Sequence, residues 1–227
     1  MNVLDALRGG LVVSCQPVDD GPLDRPEIVA AMAAAAAAGG AAGLRIEGVA
    51  NLEATRRCVD LPIVGIVKRD LADSPVRITP FAEDARALVR AGADIVAYDA
   101  TDRPRPETTA AILAEIHAAG ALAMADCATR ADAERALRQG AGIVGTTLSG
   151  YTDETATDSD DVDTDLISAF RALGGFVMAE GRVNTPDRAA RAMAAGADAV
   201  TVGTALTRLE IMTGWFADAV RQAAGRR

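Results

Sequence analysis

Three side chains in this 227-residue chain have the chemistry to move a proton on a small molecule: Lys68 in "GIVKRD", Asp126 in "ALAMAD" and Glu180 in "FVMAE". Each closes a short apolar run. A lysine among carboxylates is ordinarily an ion-paired cation, and Lys68 could equally mark where a strand meets water. To act as a base it must lose its proton near neutrality, which needs a pKa brought from about 10.4 to roughly 7–8 by burial or a nearby cation. Arg69 is adjacent, but successive strand residues point to opposite sides. Arg45, on the neighbouring strand, is the expected cationic neighbour. The single histidine, His117 in "ILAEIHAAG", falls near a predicted helix end and is read as surface packing. That excludes Ser-His-Asp triads, Cys-His pairs and multi-histidine metal sites together. Proton chemistry is left to lysine and carboxylates.

The elements that must carry these residues recur along the whole chain. Apolar runs occupy 11–16, 42–47, 62–68, 94–99, 121–126, 142–147, 176–180 and 198–203. Alanine-rich segments with helical periodicity lie between them, at 25–38, 81–91, 107–119, 130–139, 164–173 and 185–195, with a shorter helix-compatible stretch at 50–59. Runs too apolar to alternate predict strands buried on both faces, as in parallel sheets. "RAGAD" 90–94 and "AAGAD" 194–198 nearly repeat, with glycine placed as a helix cap before the next strand. Eight strand-helix units in one chain predict a single α/β domain over residues 1–227, a (β/α)8 barrel of eight parallel strands.

Active sites of such barrels lie at the C-terminal ends of the strands. There the runs finish in Gln16, Arg45 with Glu47, Lys68 with Arg69, Asp99, Asp126, Thr147, Glu180 with Gly181 and Arg182, and Gly203 with Thr204. One polar strand end is ordinary fraying into water; eight converging on one rim are not. The glycines after runs seven and eight let backbone N–H groups approach an anion, at the position where barrels hold phosphate. "NTPD" 184–187 reads as a helix start with Thr185 as N-cap and Pro186 in the first turn. Arg208 could add a charge-assisted clamp.

Composition narrows the partners. The formal net charge of −9 and an aromatic content of 3% argue against nucleic acid and anionic membranes. No apolar run approaches the roughly 20 residues of a membrane helix, and the N-terminus lacks signal-peptide features, so a cytoplasmic protein is expected. Cys15, Cys58 and Cys127 are read as reduced thiols with no metal or redox spacing. Cys58 is expected in the core, whereas Cys15 and Cys127 adjoin site residues and stay open between core and site. "GYTDETATDSDDVDTD" 150–165 carries seven acidic residues and reads as a solvated mobile loop, with a lid over the barrel mouth as the alternative.

"SCQP" 14–17, "LRIEG" 44–48, "GIVKRD" 65–70, "ITPF" 78–81, "DATDRPRP" 99–106, "ADC" 125–127, "GTTLSGYT" 145–152, "AEGRVNTP" 179–186 and "VGTALTR" 202–208 follow one another in order. With these motifs the sequence resembles the N-acetylmannosamine-6-phosphate 2-epimerases of bacterial sialic-acid catabolism. The resemblance implies inversion at carbon 2 of a sugar phosphate, without metal or organic cofactor. It implies Lys68 as base, with Glu180 and Asp126 handling protons or polarising sugar oxygens. Gln16, Arg45 and Thr147 would hold the sugar. Gly181, Arg182, Gly203, Thr204 and Arg208 would hold the phosphate. It also implies a homodimer, with the C-terminal helix, about 205–224, as the contact. The chain departs from the family in Thr204, where a second glycine is usual, and in Leu209, where proline is usual. Another phosphate-binding barrel isomerase or synthase, and a catalytically silent sugar-phosphate sensor, are the competing readings.

Overall fold

Strands with no polar face need cover on both sides, and a ring of strands wrapped in helices supplies it. The computed structural model describes residues 2–225. Its eight strands close into a barrel in chain order, each parallel to its neighbours. They are β1 Leu11–Cys15, β2 Gly43–Glu47, β3 Ile63–Ile66, β4 Ile95–Asp99, β5 Leu122–Asp126, β6 Ile143–Gly145, β7 Phe176–Ala179 and β8 Ala199–Val202. The outer ring is α2 Pro26–Ala38, α3 Val49–Arg56, α4 Ala82–Arg90, α5 Thr109–Ala118, α6 Arg130–Gln139, α7 Thr164–Arg171 and α8 Pro186–Ala194. The helix expected at 205–224 is broken at Arg208 into α9 Thr204–Thr207 and α10 Leu209–Ala224. No helix among the described residues is long and apolar enough to cross a membrane.

Alternation along each strand sorts its residues into two cores. Leu44, Ile46, Val96, Tyr98, Val144 and Val177 face outward and pack against the helices. Val12, Val64, Ile66, Ile95, Met124, Ile143 and Met178 face inward and fill the barrel. A short helix that the sequence reading did not include, α1 Val3–Leu7, closes the N-terminal end. Its Leu7 is fully buried in the inner core. Gly43 makes room for that plug, since a Cβ there would stand 2.5 Å from the Leu7 side chain.

Two cysteine expectations resolve. Cys58, expected in the core, is exposed. Helix α3 ends at Arg56, so Cys58 falls in the following turn while Thr55 and Val59 take the buried places. Cys15 and Cys127 are buried in the outer core, facing away from the barrel interior. Burial pushes the Cys15 thiol up to about 12 and that of Cys127 well above the ordinary thiol range.

The "GAD" repeat is a clamp used twice. Asp94 accepts from the Ile63 amide (2.9 Å) and pairs with Arg56 of α3 (2.6 Å). Asp198 accepts from the Val177 amide (2.9 Å) and pairs with Arg171 of α7 (3.3 Å) and with Arg8. Each aspartate thus ties the preceding strand to the helix that leads into that strand. Gly92 and Gly196 turn left-handed at φ 104° and 111°, and a Cβ on either would press on the arginine of its clamp. Asp198→Ala would strand the buried Val177 amide and should cost about 2 kcal/mol of unfolding free energy. Urea midpoints at constant m-value check this; an unchanged midpoint would remove the clamp from the account of stability.

Candidate active site

Inward parity carries Gln16, Lys68, Asp99, Asp126, Thr147, Glu180 and Gly203 to the C-terminal end of the barrel. A cavity of about 460 Å³ opens there, within the usual size of a small-molecule site. Lys68, Glu180, Gln16, Arg45, Thr147, Gly181, Arg182, Gly203, Thr204 and Arg208 all line it. Asp126 does not.

Under the floor of the cavity lies a buried charge cluster. Arg45, on β2, is 2% exposed. One of its terminal nitrogens donates to Asp126 Oδ2 (2.6 Å), and the other donates to Asp126 Oδ1 (3.2 Å) and forms an ion pair with Glu180 Oε2 (3.2 Å). The Thr147 hydroxyl stands 2.7 Å from Asp126 Oδ1 and 3.3 Å from Glu180 Oε2. Asp126 has no exposed surface, so in this geometry it acts through Arg45 and Thr147 and does not meet a ligand. Arg45 likewise has both terminal nitrogens committed to carboxylates before any ligand arrives. Glu180 keeps 15% of its side chain exposed and faces the cavity. Burial raises the Glu180 carboxyl above the usual carboxylate range; Arg45 opposes the shift and Asp126 adds to it.

Lys68 is shifted the other way. Its ammonium is disfavoured first by burial, then by the positive charge of Arg208, with Asp19 and Glu47 opposing and Arg45 contributing least. The cation expected to press on Lys68 was Arg45; Arg208 acts more strongly. Arg69 turns outward, pairing with Asp84 (2.9 Å) over the Phe81 ring. The Lys68 amide donates to Glu47 Oε1 (3.3 Å). One signal in the sequence marks this residue without any structure: Lys68 is the only lysine in the chain, all other basic side chains being arginine or the lone histidine.

Gly181, Arg182, Gly203, Thr204 and Arg208, the residues expected to hold an anion, line the same cavity. Arg208 is steadied by a bond to the Gln16 carbonyl (3.2 Å), and Gln16 donates to the Ser14 hydroxyl (2.7 Å). A side chain at Gly203 would crowd Ser14, its Cβ lying 3.3 Å away. The Arg182 guanidinium points elsewhere. It donates to the backbone carbonyls of Ser149 (2.6 Å) and Asp161 (2.7 Å) and stacks over Tyr151. The acidic segment 150–165, expected as a mobile loop, is fastened by these bonds and by Arg188 and Arg191 on α8, which reach Asp160 and Asp161. Tyr151 from this segment lines the cavity. The pair Asp99 and Arg103 (2.5 Å) also lines it; the alternating acids and arginines of "DATDRPRP" were its trace in the sequence.

A closed eight-stranded parallel barrel with a polar, titratable cavity at the strand C-termini is a (β/α)8-barrel enzyme. The family model described as "Putative N-acetylmannosamine-6-phosphate epimerase" matches residues 29–222. The chain belongs to that family. Similar proteins include one from Actinobacillus pleuropneumoniae serotype 5b, 58% identical over 221 residues covering 97% of this chain and 96% of that one. Another, from Escherichia coli O9:H4, is 57% identical over 218 residues covering 96% and 94%. Both are described as "Putative N-acetylmannosamine-6-phosphate 2-epimerase". A solved N-acetylmannosamine-6-phosphate 2-epimerase from Clostridium perfringens superposes with a TM-score of 0.93 at 38% identity over 96% of both chains. A thiamine phosphate pyrophosphorylase from Pyrococcus furiosus, at 17% identity and TM-score 0.62, shares the fold alone.

Removing the central guanidinium tests the cluster. Arg45→Met would leave two carboxylates facing each other in a dry site and should destabilise the fold by about 3 kcal/mol at neutral pH. Without Arg45 the Glu180 pKa rises further. A carboxyl whose folded pKa lies above its unfolded value loses stability as pH rises through the folded value. The loss in Arg45→Met should therefore shrink on going from pH 8 to pH 5. Urea midpoints across that range decide it; a loss that grows on acidification would contradict the cluster's charge assignment.

Proposed function

We propose that the protein inverts carbon 2 of N-acetylmannosamine 6-phosphate to give N-acetylglucosamine 6-phosphate, a step of sialic-acid and amino-sugar catabolism. The observation that carries this reading is geometric: Lys68 and Glu180 line one cavity with Arg208, and burial moves the lysine pKa down and the carboxyl pKa up from their ordinary values. Epimerisation through an enolate asks for a proton acceptor and a proton donor facing one carbon. In the open-chain sugar, carbon 2 adjoins an aldehyde, which acidifies its proton. Lys68 takes that proton, and the C–H electron pair moves into the C1–C2 bond and onto the aldehyde oxygen. Glu180 returns a proton to the opposite face, and the C2 stereocentre is inverted. The Lys68 ammonium and Glu180 carboxylate then exchange protons with water and reset the site.

Arg45 holds Glu180 and Asp126 at fixed distances, and Thr147 ties the two carboxylates together. Its charge lies beneath the site, where it favours the developing enolate. Gln16 steadies the sugar. Gly181, Gly203 and Thr204 offer backbone to the phosphate, Arg208 its guanidinium, and Arg182 its backbone beside a loop that its side chain braces.

We further propose that the chain works as a single barrel domain in the cytoplasm and pairs with a second copy through α10. That helix buries none of its residues against its own barrel. It exposes Leu209, Trp215, Phe216 and Val220, the last two at 68% and 67%.

Turnover in deuterated water should place deuterium at carbon 2 of the product, visible as loss of that proton's NMR signal; product without deuterium overturns the mechanism. Lys68→Ala should lower kcat/KM about a thousandfold, the scale of one general base, while far-ultraviolet circular dichroism stays unchanged. Light scattering should give roughly twice the 23.3 kDa chain mass for the wild type and one chain mass for Phe216→Glu. A monomeric wild type would remove the pairing.

A further inference from the structure

The motif "ITPF", residues 78–81, takes no part in the chemistry above, yet it holds an unusual backbone. Thr79 has φ 44° and no exposed surface. A β-branched residue in the left-handed region is a genuine outlier. The proline that follows also pushes its predecessor towards extended conformations. Two unfavourable choices at one buried residue persist only where the surroundings over-determine them, and such residues gather at functional sites.

The surroundings here are the ends of β3 and β4. The two strands pair at Val64 with Ile95 and at Gly65 with Val96, and then the chain segment 77–79 enters between them. Thr79 holds both backbone groups of Val67: its amide donates to the Val67 carbonyl (2.7 Å), and its hydroxyl oxygen lies 3.4 Å from the Val67 amide. The same hydroxyl donates to the Ala97 carbonyl on β4 (2.7 Å). On either side, Ile78 forms an antiparallel bridge with Lys68, and its carbonyl accepts from the Asp99 amide (3.0 Å). The wedge therefore replaces the β3–β4 ladder for the residues that end each strand, and Lys68 is one of them. A strand continued by its neighbour would present Lys68 at the ordinary pleat position. This strand presents it from a backbone pinned on one side by Thr79 and on the other by Glu47 Oε1.

We propose that Thr79 is a positioning residue for the reaction: its hydroxyl and left-handed backbone wedge β3 from β4 and fix where the Lys68 amine stands. The proposal rests on Lys68 being the base. Thr79 touches no substrate and acts only through Val67 and Lys68.

The experiment uses the full-length protein. Thr79→Val keeps the shape and removes the hydroxyl, Thr79→Ser restores the hydroxyl, and Thr79→Gly accepts the positive φ without it. Thr79→Val and Thr79→Gly should lower kcat roughly 10- to 100-fold, the scale of a misplaced reacting group. KM for the sugar phosphate and Kd for inorganic phosphate should stay within about twofold, because the anion end is built by β7 and β8. Thr79→Ser should recover most of the lost rate. The second readout needs no turnover. Lysine labelled with carbon-13 at Cε yields one resonance in this chain, that of Lys68, and its pH titration should move upward in the Val and Gly variants and return in Ser. Should Thr79→Val fail to fold, Thr79→Gly carries the same comparison. Wild-type kcat with an unmoved titration in Thr79→Gly overturns the proposal, and so does an equal loss in Ser and Val. A wild type that turns over no substrate overturns the epimerase reading instead, and the Lys68 titration still decides the role of Thr79.

Discussion

A guanidinium inside a dry barrel constrains everything above it. Arg45 projects inward from β2 at a level where the layers below are aliphatic, and a charge there is tolerable only if it is paired; both terminal nitrogens meet carboxylates, while Nε is buried without a partner. The planar fork of arginine can engage two carboxylates at once; a lysine ammonium in the same place would be a point charge with no fixed direction. So β5 must end in Asp126 and β7 must reach it with Glu180, and Thr147 on the strand between is at the right height to bond both. The cluster is costly to bury and costly to break. Its yield is geometric: the Glu180 carboxyl, which faces the cavity, is held by Arg45 and Thr147 and cannot swing away.

The two ends of the barrel solve different problems. At the N-terminal end the Asp94 and Asp198 clamps repeat, with the same helix arginine, the same strand amide and the same left-handed glycine. They sit four strands apart, which marks the third and fourth units as counterparts of the seventh and eighth. At the C-terminal end that likeness is spent. After β7 and β8 the chain turns through Gly181 and Gly203, leaving backbone open to an anion. After β3 it sets Lys68 just past the strand and inserts a wedge, and β4 ends in Asp99, which pairs with Arg103. Stability is built by repetition and chemistry by departure from it.

How much of this the sequence disclosed depends on how far a residue stands from a strand. Period-two alternation dictates which side chains point inward, so the rim list from Gln16 to Gly203 was legible, and so were the eight units. Beyond the last paired residue that rule stops. The third strand ends at Ile66, two residues before Lys68, because Thr79 and Ile78 take the hydrogen bonds that β4 would otherwise make. Nothing in "ITPF" announces φ 44° at Thr79. Arg182 follows a strand by three residues, and its side chain turned to the Ser149 and Asp161 carbonyls. The ranking of Arg208 over Arg45 as the neighbour of Lys68 depends on how the folded rim is arranged, which strand parity does not give. The five-residue α1 is too short for periodicity to declare and is held by the barrel floor, not by its own propensity. The acidic segment is largely exposed, as its composition suggested; its fastening was not legible because its partners, Arg182, Arg188 and Arg191, come from later in the chain.

The choice between lysine and arginine is the last piece of the design. This chain uses arginine for nearly every positive charge: the Asp94 and Asp198 clamps, the brace on the acidic segment, the buried cluster and the candidate phosphate contact. In each of these places a permanent charge is wanted, and arginine cannot lose its proton at any pH a protein survives. A proton acceptor at the same rim must be able to lose one. Burial and a neighbouring positive charge destabilise an ammonium and drive it towards the neutral amine, whereas the same surroundings would leave a guanidinium charged. Arg208 can therefore serve twice, as a fixed charge facing the cavity and as the pressure that disfavours a proton on Lys68. That division of labour works only if the two cations differ in kind, and the one lysine stands where they differ.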